Sequence, residues 1–512
     1  MNTTGVSGCR TRCFSSLELS GGRRWLRQGL LLGVLLALFA GPVVMARAAA
    51  QSSSSPTSSG QASAPDPRLQ KAYRFQQDGW TYVHLEGTPG EIGFQHGYLL
   101  APEIADALEV VKLENTHTSK RDWPFFRKAS HDMLWPHIDA EYKKELQGIV
   151  DGAKAHGVAI DLDDVVALNA FLELADYYVP WLNQREKRAA VPGLVAPGNC
   201  SAFIATGSMT KDGKIVIAHN DWTTYMDGAR WVIMFDIVPQ HGNRMLMDGF
   251  PGVITSDDDF GVTSAGLMIA ETTISKFEGW DPKGKPEFVR SRKAMQYANS
   301  IDDYVRIIKE GNNGGYANDW LIGDRNTGEI AYLELGLKNT PLWRTKDGYF
   351  ISSNFARDEK VIAEETTFDS KDMTSSPNAR RVRWEELMAQ SKGRIDVEMA
   401  QRFLADHYDS LDKKEQPNAR SLCGHGENLL ARDSQFEWDP YHPGGAVQGK
   451  ATDSSMAAKM SLRARAGHPC GQDFLAKEFL EKHPEYAWQK PVLRDMKAGP
   501  WTTFTAGQKA AQ

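Results

Sequence analysis

The sequence predicts an α+β protein: a mostly helical segment over residues 68–180, then, from Cys200 onward, mixed helix and strand joined by antiparallel hairpins. Three observations predict it. Apolar residues recur at helical spacing before residue 180, chain breakers crowd residues 181–199, and short β-rich runs punctuated by Gly and Asp-Gly follow Cys200. There is no regular βαβ alternation and no internal repeat.

At the start of the chain, Arg23, Arg24 and Arg27 precede an apolar run from Gly29 to Met45, and Ala46-Arg47-Ala48 supplies small residues at signal-peptidase spacing. Residues 1–48 therefore read as a cleavable signal peptide, because the run is short for a membrane span and is broken at Gly41-Pro42. Residues 49–67 form a low-complexity linker rich in Ser, Ala, Pro and Gln. In the segment 68–180, Pro102 suits the first turn of a helix through Ile104, Ala107, Leu108 and Val111. A second helical stretch, Phe125 to His156, is kinked or split at Pro136 and stopped by Gly157. A third begins at Asp161, a suitable N-cap, and carries Val165, Leu168, Phe171 and Leu172. Residues 181–199, with the charged run Gln184-Arg185-Glu186-Lys187-Arg188, read as an exposed processing connector.

The segment 200–512 opens with two β-rich runs, 200–207 and 214–219, joined through Asp212-Gly213. Further strands are expected over Trp231 to Ile237, Gly261 to Ala270, Trp320 to Ile322, Ile330 to Leu335 and Tyr349 to Ser353, with a helix from Arg290 to Ile308.

Composition excludes several classes. With 41% hydrophobic residues the chain is neither disordered nor a many-span membrane protein, and a formal charge of −6 offers no footprint for nucleic acid. Removing the six arginines and one glutamate of residues 1–48 from 59 basic and 65 acidic residues shifts that charge to −11. Of five cysteines, Cys9 and Cys13 leave with the leader, so Cys200, Cys423 and Cys470 remain for an oxidising compartment. Cys423 and Cys470 can pair as a disulfide, the alternative being two independent buried thiols, and Cys200 is the odd one out.

Candidate chemistry narrows by elimination. The chain has no Gly-x-Ser-x-Gly elbow, phosphate loop, His-Glu-x-x-His or Cys-x-x-Cys. His96, His131, His137, His219, His425 and His442 are scattered without metal-ligand spacing, so neither a metal nor another cofactor is expected. Cys200 stands apart because it follows Gly198-Asn199 at the end of the connector and opens a hydrophobic strand. If the Asn199–Cys200 peptide were broken, Cys200 would carry a thiol beside its own α-amine, which titrates near ~7.7–8.0 and can serve as general base. The same thiol could open that bond by an N-to-S acyl shift. The hairpin turn would bring His219, Asn220 and Asp221 beside Cys200, where Asp221 can stabilise the protonated amine and His219 or Asn220 can hydrogen-bond thiol or substrate. An unremarkable alternative is that these polar residues merely end a strand, with Cys200 a small buried side chain.

Gly198-Asn199-Cys200-Ser201-Ala202-Phe203, with Ala218-His219-Asn220-Asp221-Trp222 downstream, resembles the nucleophile hairpin of the N-terminal-nucleophile hydrolases. Within them the chain is similar to the phospholipase B-like family and its neighbour, the penicillin acyltransferase-like autoproteolytic family. Pro251 to Phe260 (PGVITSDDDF), Ser264-Ala265-Gly266-Leu267, Glu271-Thr272-Thr273, Asn313 to Asp324 (NGGYANDWLIGD), and Gly426-Glu427-Asn428 with Thr452 to Met456 carry the phospholipase B-like resemblance. Gly87 to Gly97 (GTPGEIGFQHG) resembles the early motif of the acyltransferase-like side.

The resemblance implies a four-layer αββα fold matured into two chains that stay associated. It implies Cys200 as nucleophile, Asn318 as an asparagine that polarises the substrate carbonyl or holds the amine, and Thr273, ahead of Glu271, as a contributor to the oxyanion site. Arg380 resembles the late arginine of related bile-salt hydrolases, with Arg383 the competing register. The implied substrate is a small-molecule or lipid acyl ester or amide, with transient contact to a membrane surface as a corollary. Hydrolysis through a thioester and acyl transfer to an amine use the same residues, and a binding protein with a structural Cys200 is the third alternative. The sequons are Asn2-Thr3-Thr4 and Asn199-Cys200-Ser201, which favours a periplasmic or secreted protein over a lysosomal one.

Overall fold

The computed structural model describes residues 66–187, 200–256, 260–428 and 444–510. The leader over 1–48, the linker up to residue 65, residues 188–199 with the Asn199–Cys200 bond, and Asp257 to Asp259 lie outside the described residues.

In chain order the strands are β1 (Tyr73–Gln77), β2 (Trp80–Gly87), β3 (Ser201–Thr206), β4 (Val216–Thr224), β5 (Ile233–Pro239), β6 (Met245–Gly249), β7 (Gly261–Thr263), β8 (Leu267–Thr273) and β9 (Asn318–Asp324). There follow β10 (Glu329–Leu335), β11 (Leu342–Thr345), β12 (Gly348–Ser352), a ribbon of β13 (Tyr408–Asp409) and β14 (Lys414–Glu415), then β15 (Gly444–Asp453), β16 (Ser461–Ala466) and β17 (Thr502–Thr505). Among the described residues, nine strands form one sheet in the order β1-β2-β5-β6-β7-β8-β9-β10-β11, and six form another, β12-β3-β4-β15-β16-β17. All neighbours are antiparallel except β2 and β5. The chain is therefore α+β, as its sequence predicts.

The two sheets pack face to face. Alternation puts Ala202, Ile204 and Ile217 of the smaller sheet into one apolar cluster with Met234, Met268 and Leu321 of the larger. Phe203, on the opposite face of β3, packs instead on Trp384 and Phe403 of the helices Ser376–Gln390 and Val397–Leu404. Val83, Leu85 and Phe235 of the larger sheet join Ile104, Leu146 and Ile149 from the N-terminal helices. Each such apolar side chain contributes about 1.5–3 kcal/mol on burial.

The segment after residue 68 opens with the antiparallel pair β1–β2 before its helices start, because the run Trp80–Gly87 is rich in aromatic and β-branched residues that suit a sheet buried on both faces. Pro102 lies in the first turn of Ala101–Ser119. The stretch from Phe125 is divided around Pro136, with a regular helix resuming at Ala140–His156 and Gly157 closing it at φ 100°. Asp161 caps Leu162–Asn169 through a capping box with Asp164. Two expected elements are each two in the structure. Gly266, at φ 92°, turns the run 261–270 into the hairpin β7–β8, and Ser300 caps a second helix, so 290–308 divides into Glu287–Tyr297 and Ile301–Lys309. Among the described residues no helix is long and apolar enough to cross a membrane.

Candidate active site around Cys200

Cys200 immediately precedes β3, 1% exposed, with its backbone at φ 113°. A non-glycine residue with such a positive φ costs on the order of 1–3 kcal/mol and persists only when its surroundings hold it. Arg380 does much of the holding. From the first turns of Ser376–Gln390, its Nη1 donates to the Cys200 carbonyl and to Ser201 Oγ (2.8 Å), its Nη2 to Asn354 Oδ1 (2.9 Å), and its Nε to Ser376 Oγ (2.9 Å). The fully buried guanidinium also stacks 4.2 Å from the Trp222 ring. Arg383 points elsewhere, donating to Asp406 at 2.9 and 2.7 Å and to Glu386 at 3.0 Å. Of the two arginine registers, Arg380 is the one at the cysteine.

The hairpin register pairs Ser201 with Asn220 and Ala202 with His219, which brings Asp221 opposite the entry to β3 at Cys200. Strand alternation divides the polar triplet. His219 and Asp221 share the inter-sheet side with Ile217, whereas Asn220 turns outward and its Nδ2 donates to the carbonyls of Leu404 (2.8 Å) and Leu422 (3.0 Å). The Asn220 amide hydrogens thus tie two backbone segments to the face of β4 opposite His219 and Asp221. Across β4, Gln448 Nε2 donates to Asp221 Oδ2 at 3.2 Å. Lys450, in register with His219, pairs with Asp248 at 2.8 Å, both side chains fully buried.

From the larger sheet comes Glu271. Beyond Ile269, where β8 has no β7 partner among the described residues, a Glu271 carboxylate oxygen, the Cys200 Sγ and a His219 ring nitrogen all lie within 4.8 Å of one another. Tyr316 OH donates to Glu271 Oε1 at 3.2 Å. Three such groups are chemically able to ligate a cation, and equally able to pass a proton between a thiol, an imidazole and a carboxylate.

Thr273 and Asn318 are directly opposed on β8 and β9, and both are fully buried. Thr273 Oγ1 and both amide atoms of Asn318 make no hydrogen bond among the described residues. Leaving a buried polar group unpaired costs about 1–3 kcal/mol, so these atoms are spare capacity for a bound polar group. Asn354 Nδ2 donates to the Thr273 carbonyl at 2.8 Å, completing a chain from the Cys200 carbonyl through Arg380 and Asn354 to the other sheet.

Cys423 and Cys470 are free thiols, so the expected disulfide is absent. They lie instead in one cluster with His407 and His425, ligand atoms within 4.8 Å of one another. Scatter in the sequence is not scatter in space, and His425 is corrected from an isolated residue to a member of this group. His96 remains structural: its Nε2 accepts from Gly252 N at 2.9 Å, and burial pushes the imidazole down to about 3. Sequence reasoning missed Asn354, Tyr316, Gln448, Lys450 and Asp248, each brought in by a pairing distant in the chain.

Residues 112–332 match the Phospholipase B family. The chain is similar to phospholipase B-like protein F of Dictyostelium discoideum, 30% identical over 175 residues that cover 32% of this chain and 30% of that protein. It is also similar to putative phospholipase B-like 2 of Mus musculus (31% over 345 residues, 58% and 55%) and phospholipase B-like 1 of Bos taurus (26% over 264 residues, 45% and 47%). The matched stretches thus span from 30% to 55% of these relatives' own length. The family match includes Glu271, Thr273 and Asn318 together with the Cys200 hairpin, and over these stretches the chain is similar to the phospholipase B-like family.

Proposed function

We propose that this protein is a self-processing cysteine hydrolase of the N-terminal-nucleophile type that deacylates a lipid-like ester or amide. The observation that carries the proposal is the Cys200 thiol, buried at a positive-φ backbone position within 4.8 Å of His219 and Glu271. The order of helices, sheet, sheet and helices supports the four-layer form of this reading.

In the first step Cys200 Sγ attacks the carbonyl carbon of Asn199, and hydrolysis of the resulting thioester frees the Cys200 α-amine. In turnover that amine takes the thiol proton as Sγ attacks the substrate acyl carbon. Thr273 Oγ1 and Asn318 Nδ2 donate to the developing oxyanion. Collapse expels the alcohol or amine, which receives the proton, and water then releases the acid and restores the thiol. Asp221, across the hairpin, stabilises the ammonium form. Arg380 acts as a positioning residue that fixes the Cys200 carbonyl.

Mass spectrometry of the purified full chain tests the processing step. A fragment beginning at Cys200 in the wild type, and a single chain for Cys200→Ala, is the expected result. An uncleaved wild type would sink the proposal in favour of a binding protein. Screening the matured protein against acyl esters, acyl amides and phospholipids, with and without an amine acceptor, then separates hydrolysis from acyl transfer.

A further inference from the structure

We propose that His407, Cys423, His425 and Cys470 form a structural zinc(II) site that pins the C-terminal segments onto the smaller sheet. His425 Nε2 lies 3.2 Å from His407 Nε2, 3.6 Å from Cys423 Sγ and 3.5 Å from Cys470 Sγ. A tetrahedral ion with Zn–S near 2.3 Å and Zn–N near 2.0–2.1 Å separates its ligands by about 3.3 Å for N···N and about 3.6 Å for N···S. The three spacings around His425 Nε2 match these values, and all four ligand atoms lie within 4.8 Å of one another.

His425 Nδ1 lies 2.6 Å from Glu427 Oε1, and because a carboxylate only accepts, Nδ1 carries the ring hydrogen. Nε2 is then the ring atom turned toward His407, Cys423 and Cys470. A carboxylate behind the histidine is also the arrangement that orients imidazole ligands in zinc sites. Glu427 is itself held by Tyr225 OH. On binding, each thiol gives its proton to solvent as its sulfur bonds the ion, and two thiolates neutralise the 2+ charge. Cys423 and His425 are fully buried, whereas His407 and Cys470 are partly exposed and open a path for the ion.

The site would act on packing. Segment 422–425 accepts the side-chain bonds of Asn220 and Trp222 through the Leu422 carbonyl, and Gly424 seats against the Trp222 ring. Two thiols and two imidazoles around one ion select zinc over the hard cations.

The test uses full-length protein purified without chelator or reductant. Elemental analysis is expected to find about one zinc per chain, lost in Cys470→Ser and reduced in His407→Ala. Replacing zinc with cobalt(II) in the wild type, which needs no variant to fold, should give the intense visible bands of a tetrahedral thiolate site. Two results overturn the proposal: a Cys423–Cys470 disulfide by intact mass and alkylation without bound metal, or a chain with both thiols free that binds neither zinc nor cobalt.

Discussion

Arg380 donates to the backbone carbonyl of Cys200, the residue whose thiol faces His219 and Glu271, and not to the thiol itself. The contact therefore acts on where the strand begins, and the same guanidinium reaches Asn354 and thereby the Thr273 carbonyl. Lysine at this position keeps the charge but cannot serve Cys200, Ser201, Asn354 and Ser376 together. Hydrogen bonds to a charged group contribute about 1.5–3 kcal/mol each, so Arg380→Lys is expected to slow turnover by about 10- to 100-fold. Rates for the wild type and variant on the acyl substrate found by screening check this, with a thermal melt to score folding. An unchanged rate in a folded variant would remove Arg380 from the machinery.

Thr273 and Asn318 make a sharper prediction, because their side chains have no hydrogen-bond partner to lose among the described residues. Asn318→Ala is expected to cost about 10²–10³-fold in kcat with little change in KM, the signature of a donor used in the transition state. Thr273→Val should cost less. Both variants should be as stable as the wild type or slightly more so, since a buried unsatisfied group is removed. A large stability loss would instead assign these residues to structure.

Much of this site is legible in the sequence because its parts are local. Cys200 at the head of a hydrophobic strand, the turn at Asp212-Gly213 and the caps at Asp161 and Gly157 are short-range signals that the structure keeps, whereas the expected connector opens as helix over Val179–Arg185. Even the outward turn of Asn220 was available, since adjacent residues on a strand cannot face the same side. Asn354, Gln448 and the His407–Cys470 cluster were not available. They depend on which strands become neighbours, β4 with β15 or β3 with β12, and no window of sequence encodes that pairing. The glycine-rich motif at residues 87–97 was legible as a pattern but not as a purpose.

Its purpose is helix contact. The helices Pro89–Leu99 and Ala140–His156 approach so closely that a Cβ on Gly93 would strike the Glu145 carbonyl and one on Gly97 the Ile149 carbonyl. Gly148 and Gly152 meet the first helix in the same way, against backbone atoms of Gly90 and Phe94. Backbone cannot yield as a flexible side chain does. Gly93→Ala and Gly97→Ala are therefore expected to destabilise by about 1–3 kcal/mol or more, although alanine is the better helix former. Denaturant midpoints measure the effect, and a stabilised Gly97→Ala would refute the close contact.

A pH dependence follows from the carboxyls behind the oxyanion candidates. Asp319, next to Asn318, accepts from Ser352 Oγ at 3.0 Å, and Glu334 accepts from the backbone N–H of Arg357 at 2.8 Å. Burial pushes both carboxyls up, and the Asp319 charge raises Glu334 further. The native state then holds protons that the unfolded chain releases near its ordinary value of about 4. Stability from this pair is complete on the acid side and is lost as pH rises from there through the raised values, by up to about 1.4 kcal/mol per pH unit for each group. Glu334→Gln removes one titration and relieves the other carboxyl, so the difference between variant and wild type is expected to grow toward neutral pH. Denaturant midpoints for both proteins across this range isolate the pair from all other groups. Parallel curves would show that neither carboxyl is raised.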